Sequence, residues 1–219
     1  MKTTFSRAIL WLLSLFVLSS GFYLFSAVDL NAEKIMERAL RKEKKITGYY
    51  TLLETAINLG SSMQNYYVEV WFLSPHFFRV EYFPCFPEKG VKPEQIFVSN
   101  GEKTWIFSPD IGDFYLLSPL SQDLNPPPFL LATFLKGLSQ AQDVELIGID
   151  KRETGSYYLL RVIPSSPGRR NAWEKVWLEK KSLLPVQIEI YDSYDQLQQT
   201  IIFHKTVVNP KIDKEMFKI

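Results

Sequence analysis

The residue types that could carry chemistry are few in this 219-residue chain: two histidines, His76 and His204, and one cysteine, Cys85. The histidines stand far apart, and no HExxH, CxxC or paired-His pattern supplies a zinc ligand set. Cys85 lies in a loop between Pro84 and Pro87 with no partner ligand nearby in sequence. No GxSxG elbow offers a nucleophilic serine, no serine has a recognisable histidine partner, and no GxGxxG or GxxxxGK loop could cradle phosphate. Glu54 and Glu69 fall in predicted strands and could in principle exchange a proton, but carboxylates on a sheet face more commonly pair with Lys or Arg. His204, within IIFHKTV, reads as a strand residue facing water. The expectation is a protein that is not an enzyme and uses neither metal nor cofactor.

Composition narrows the remaining classes. With 25 Lys and Arg against 24 Asp and Glu, the formal charge is +1, which leaves no electrostatic footprint for nucleic acid. A chain that is 46% hydrophobic and 15% aromatic can bury a large core, and one cysteine forms no internal disulfide.

The N-terminus decides the compartment. Lys2 and Arg7 precede an uncharged run from Ala8 to Val28. A helix of about 20 apolar residues spans a bilayer core, so residues 1–28 read either as an uncleaved anchor or as a signal peptide cut after Gly21. Both alternatives export residues 29–219 and keep the positive end inside, which makes the protein extracytoplasmic.

The exported part reads as a single α+β domain. Asn31 caps an amphipathic helix marked by Ile35, Met36, Leu40 and Ile46, with the charged stretch Arg41 to Lys45 on its wet face. From Gly48 the period drops to two. Val68, Val70 and Phe72 share a face in one strand, as do Phe78, Val80 and Tyr82 in the next, opposite Arg79 and Glu81. Ser99-Asn100-Gly101-Glu102 reads as a hairpin turn, followed by strands through Trp105 and Phe107 and around Phe114 to Leu117. Asn125 and Pro126 open a second, almost wholly apolar helix ending near Gly137, which must be covered on nearly every side. Alternation then resumes through Tyr158, Leu160 and Val162, through Val176 and Leu178, and through Val186, Ile188 and Ile190. The short connections imply an antiparallel meander. This is more apolar surface than one sheet needs to seat one helix. It either fills a core or lines a cavity in a curved sheet, with the apolar helix as cover.

The stretch from Val176 to Ile219 resembles the end of the LolA family of bacterial periplasmic lipoprotein carriers and their relatives. The landmarks are Trp177, Leu184, Pro185, Tyr191, Asp192, Ile202, Val208, Asn209, Ile212 and Phe217, in matching order and spacing. The first helix, the strand around Phe78 to Tyr82, the VSNGEKTWIF hairpin and the Pro-led apolar helix extend the likeness to about Asn31 to Ile219. The resemblance implies an incomplete antiparallel β-barrel, closed by helices over a hydrophobic cavity that takes lipoprotein acyl chains. On that scaffold the alternation nominates Val68, Val70, Phe72, Phe78, Val80, Tyr82, Val176, Leu178, Val186, Ile188 and Ile190 as lining, with Phe129, Leu130, Phe134 and Leu138 as the lid. Well-studied carriers hold the lid with an Arg on the strand after the first helix, whereas GYYTLLETAINLG contains none.

Three functions compete. The first is a monomeric extracytoplasmic carrier or chaperone for acyl chains of lipids or lipoproteins. The second is a membrane-anchored envelope protein that uses the same scaffold to bind a protein partner, as relatives in envelope-stress sensing and in sporulation or germination do. A hydrolase ranks behind both, lacking a nucleophile or metal team.

Overall fold

Glu33 in the first turn and Arg41 and Lys42 in the last complement the dipole of α1 (Ala32–Glu43), whose apolar stripe buries Ala32, Ile35, Met36 and Ala39. The helix ends before Ile46, which belongs to the turn leading into the sheet. Its charged face is wet, as the sequence suggests. Arg41 pairs with Glu37 at 3.2 Å, and Lys42 Nζ donates to the Lys181 carbonyl. The computed structural model describes residues 31–117 and 131–218. The predicted signal or anchor segment, the boundary at residue 29, and the Asn125 and Pro126 helix start lie outside them.

Eleven strands follow: β1 (Gly48–Asn58), β2 (Met63–Leu73), β3 (Phe77–Phe83), β4 (Gln95–Asn100), β5 (Thr104–Ser108), β6 (Asp113–Leu117), β7 (Asp143–Arg152), β8 (Gly155–Ile163), β9 (Trp173–Glu179), β10 (Pro185–Tyr191) and β11 (Leu197–Val208). Between β6 and β7 runs α2 (Leu131–Ser139), and a 3₁₀ turn (Lys214–Phe217) follows β11. The strands form one antiparallel sheet in the order β6-β5-β4-β3-β2-β1-β11-β10-β9-β8-β7, so two meanders join where β1 pairs with β11. The sheet is curved and unclosed, with β6 and β7 as its edges, which is the LolA-like half-barrel. Ala32–Ile219 forms one compact unit.

Register carries the inner face across the strands. Phe72 stands opposite Phe78, Val70 opposite Val80 and Val68 opposite Tyr82, so the two sequence-read faces are one surface. On β1 the same surface continues through Tyr49, Thr51 and Leu53, opposite Phe72, Val70 and Val68. Helix α1 packs against α2. Leu131, Phe134, Leu135 and Leu138 of α2 are buried, while Lys136, Gly137 and Ser139 are exposed, so the described part of this helix keeps one wet side. The outer face holds a second core absent from the sequence reading. Ile96, Val98 and Phe217 are buried there with Trp71, Leu73, Phe77, Phe107 and Ile212 packed around them. The 3₁₀ turn thus covers the back of β3 and β4, capped by the Asp213 side chain accepting from the Glu215 N–H.

Candidate functional site: a lined cavity under the second helix

Two neighbouring rows of side chains cross the inner face of the C-terminal meander. The inner row runs Leu160, Val176, Ile188, Ile201 and Thr55 through paired positions on β8, β9, β10, β11 and β1. The next row toward the strand ends runs Val162, Glu174, Ile190, Gln199 and Ile57. The first row is hydrocarbon except for Thr55, whose hydroxyl accepts from Gln199 Nε2 at 2.9 Å. The second alternates apolar and polar groups.

A cavity of about 560 Å³ opens along these rows, walled by Ile188, Ile190, Ile201 and Val162 from the sheet and by Phe134 and Leu138 from α2. That volume falls within the range of roughly 300–1,000 Å³ usual for small-molecule sites. Ser165, Arg170, Asn171, Glu174, Gln198 and Gln199 supply its polar lining. The loop after β8 is fastened across the mouth: Arg170 Nη2 donates to the Asn58 carbonyl at 2.7 Å, and Asn58 Nδ2 donates to the Leu197 carbonyl at 3.1 Å. Glu174 Oε1 accepts from Asn171 Nδ2 at 3.1 Å, and burial pushes the Glu174 carboxyl above the usual carboxylate range. The other side-chain atom of Asn171, Oδ1, is buried with no hydrogen-bond partner.

The nominated lining residues divide by position. Phe134, Leu138, Ile188 and Ile190 meet at this cavity. Phe72 lines a smaller one of about 220 Å³ with Tyr49, Ile46 and Leu131. Val68, Val70, Val80, Val176 and Leu178 lie on the inner face with no exposed surface, packed as core. Phe78 and Tyr82 are half-buried there. Tyr82 packs on Tyr66 and Phe97, and burial holds its phenol neutral. Val186 is half-buried at a register shift where Pro185 pairs with Leu178 and Gln187 with Trp177. Phe129 and Leu130 lie outside the described residues. The sequence reading missed Glu174, although it shares parity with Val176 and Leu178. It also missed Arg170 and Asn171, whose loop carries no periodic signal.

The other chemistry-bearing residues lie on the outer face or in loops. Glu54 meets His204 Nε2 at 3.1 Å, with Tyr67 stacked on the imidazole at 6.0 Å between ring centroids. Glu69 accepts from Tyr50 Oη at 2.6 Å, so the two carboxylates have separate partners. Cys85 is free and exposed. Among the described residues no group of three or more His, Cys, Asp and Glu side chains could hold a metal ion, and no helix is long and apolar enough to cross a membrane.

Comparison with solved structures finds the same architecture elsewhere. An uncharacterized conserved protein from Thermus thermophilus superposes with a TM-score of 0.56 at 12% identity, covering 85% of this chain and 91% of that one. LprF from Mycobacterium bovis gives 0.52 at 14% identity, covering 83% and 94%. A Pseudomonas aeruginosa MucA/MucB complex gives 0.51 at 15% identity, covering 85% and 60%. At these identities the likeness is one of fold. Among curated proteins, the sporulation protein YdcC of Bacillus subtilis (strain 168) is 21% identical over 181 residues, which are 80% of this chain and 50% of YdcC. The chain thus spans about half the length of that relative. The family described as outer membrane lipoprotein carrier protein LolA matches residues 69–219, and the chain belongs to the LolA family.

Proposed function

We propose that this protein is an extracytoplasmic carrier or chaperone that holds acyl chains of lipids or lipoproteins in its half-barrel, without catalysis. The observation that carries the reading is the cavity of about 560 Å³ between α2 and the C-terminal meander, whose Ile188, Ile190, Ile201, Phe134 and Leu138 walls offer an acyl chain hydrocarbon on both sides. Transfer of each methylene from water into such a site is worth about 0.8 kcal/mol, so a long chain gains substantially even when part of it stays wet. The family description, a lipoprotein carrier, supports the same ligand class. The basic and apolar N-terminal segment supports export.

The test is to purify the exported protein natively as its host processes it, identify co-purifying lipid by mass spectrometry, and titrate the neutral fluorophore phenylnaphthylamine. Saturable uptake near one probe per protein, reversed by acyl chains, is the expected result. A folded monomer that neither carries lipid nor takes up the probe would sink the proposal.

A second reading, an envelope protein that binds a protein partner, has its own support. Ile111, Phe114, Tyr115 and Leu116 on and beside edge strand β6 are each more than half exposed. An apolar open edge invites strand pairing. The MucA/MucB complex gives that reading precedent on this fold.

A further inference from the structure

We propose that the mouth of the cavity receives the anionic head of an acyl-chain amphiphile, a carboxylate or a phosphate monoester, on the guanidinium of Arg170 and the side-chain amide of Gln199. The inference rests on the acyl-binding reading and adds the chemistry of the head. Arg170 is the one cation among the residues that line the cavity, and Glu174 the one carboxylate. Arg170 crosses the mouth from the loop after β8, where Nη2 donates to the Asn58 carbonyl at 2.7 Å. The rest of its planar N–H fork has no partner among the described residues, and it joins none of their ion pairs. Such a fork matches two oxygens of one carboxylate or phosphate. Gln199 stands opposite Ile57, the residue before Asn58, so its amide lies on the β1 side with the guanidinium. One N–H of Nε2 goes to the Thr55 hydroxyl at 2.9 Å, which leaves the second for a guest. Ser165 adds a hydroxyl to the same lining.

Position sets the orientation of the guest. Gln199 and Ile190 lie one row nearer the strand ends than Ile201 and Ile188. A chain that enters tail first lies along Ile188, Ile201 and Phe134, and its head stops beside Gln199 and Arg170. The carboxylates at this end are engaged away from that point. Glu174 accepts from Asn171 on β9, which is three strands from β1 in the sheet order, or about 14 Å along the sheet at ordinary strand spacing. Asp192 accepts from the Tyr194 and Gln196 N–H groups and from Gln198 Nε2, and Asp195 accepts from Trp173 Nε1. Neither aspartate lines the cavity. Arg170 is exposed, so water screens the pair and the advantage of an anionic head is modest.

Two sources share this chemistry, the carboxylate of a free fatty acid and the phosphate of a lysophospholipid. The experiment loads the exported protein with phenylnaphthylamine at mildly alkaline pH, where both heads are ionised, and displaces it with two matched pairs of one chain length below their micelle-forming concentrations. The pairs are palmitate with palmitamide, and palmitoyl lysophosphatidate with monopalmitoylglycerol. In at least one pair the anion should displace the probe at about one fifth to one tenth the concentration its neutral twin needs. The pair with the larger gap identifies the source. The gap should narrow as salt is raised. In Arg170→Gln it should close to about twofold, whatever shift is common to both members of the pair, and Arg170→Lys should keep part of it, because the charge stays while the fork is lost. In Gln199→Glu, which puts a like charge where the head would sit, the gap should vanish or reverse. Twins of equal strength in the wild type, or a gap that survives in both Arg170→Gln and Gln199→Glu, would overturn the head assignment and leave acyl binding standing. A folded protein that takes up neither the probe nor any of the four guests would overturn both.

Discussion

Asn209 Oδ1 accepts the backbone N–H of Thr47 at 2.8 Å across 162 residues of sequence. The same oxygen accepts from the Gly48 N–H and the Thr47 hydroxyl, each at 3.2 Å, while Nδ2 donates to the Lys45 carbonyl at 3.0 Å. Asn209 holds φ at 53°, a left-handed value that Asn tolerates better than most residues. This one side chain ties the end of β11 to the start of β1, the pairing at which the two meanders join. Asn209→Ala should cost about 2–4 kcal/mol of stability, and Asn209→Asp less, because it keeps the accepting oxygen. Urea unfolding of the three proteins checks the order; equal midpoints would show that backbone pairing alone closes the sheet.

Phe217 is 1% exposed against the outer face, with its ring centroid 5.7 Å from that of Phe77, and Arg79 Nη1 donates to the Met216 carbonyl at 3.3 Å beside it. Phe217→Ala should destabilise the domain by about 3–5 kcal/mol, the usual range for an aromatic ring removed from a core. Uptake into the inner-face cavity should persist in whatever fraction remains folded. A loss below about 1 kcal/mol would mean that the C-terminal turn contributes little to the fold.

Ile190 lines the cavity and Ile202 stands on the opposite face, 38% exposed, next to Glu54 of β1. Ile190→Asn should weaken acyl uptake about tenfold or more, because an amide without partners is costly against an apolar chain. Ile202→Asn should leave uptake unchanged. Matched losses from both substitutions would place the guest elsewhere.

Glu174 gives stability a pH dependence. Burial raises its carboxyl above the ordinary value of 4.5, so the folded state retains a proton that the unfolded chain has already released. The contribution is therefore most favourable at low pH and is lost as pH climbs from the ordinary Glu value through the raised one. Glu174→Gln should gain in melting temperature on the wild type across that window and keep the gain above it. Burial and Glu81 also raise Glu69, but that group is common to both proteins and cancels in the difference. Thermal melts at acidic and neutral pH check it; a gap that does not widen with pH would mean the carboxyl titrates normally.

Much of this fold was legible because period two survives in long strands. Val68, Val70 and Phe72 share parity, as do Phe78, Val80 and Tyr82, and the register sets the two triplets opposite one another. Asn100-Gly101 marks its turn because Asn100 Oδ1 accepts the N–H groups of Glu102 and Lys103 while Gly101 takes a positive φ. The strand β7 escaped notice because its register shifts between Leu146 and Gly148, which breaks the alternation and leaves Ile147 and Ile149 on an exposed edge.

Sequence by itself determined the apolar, nearly neutral character of the chain and the alternating faces of its sheet, since these depend on composition and on side chains two positions apart. Tertiary structure alone decided which of those faces is solid and which is hollow. Val176 and Ile190 alternate alike, yet Val176 is sealed in the core whereas Ile190 borders the cavity, because α2, from an earlier part of the chain, and the loop after β8 leave space over only part of the inner face. Asn171, only three residues away in the loop before β9, bonds Glu174, and the cavity beside them turns a carboxylate that parity places on the inner face into part of the polar wall of a site. Periodicity records the direction a side chain takes from its strand; what it meets there is set by chain segments that sequence distance does not reveal.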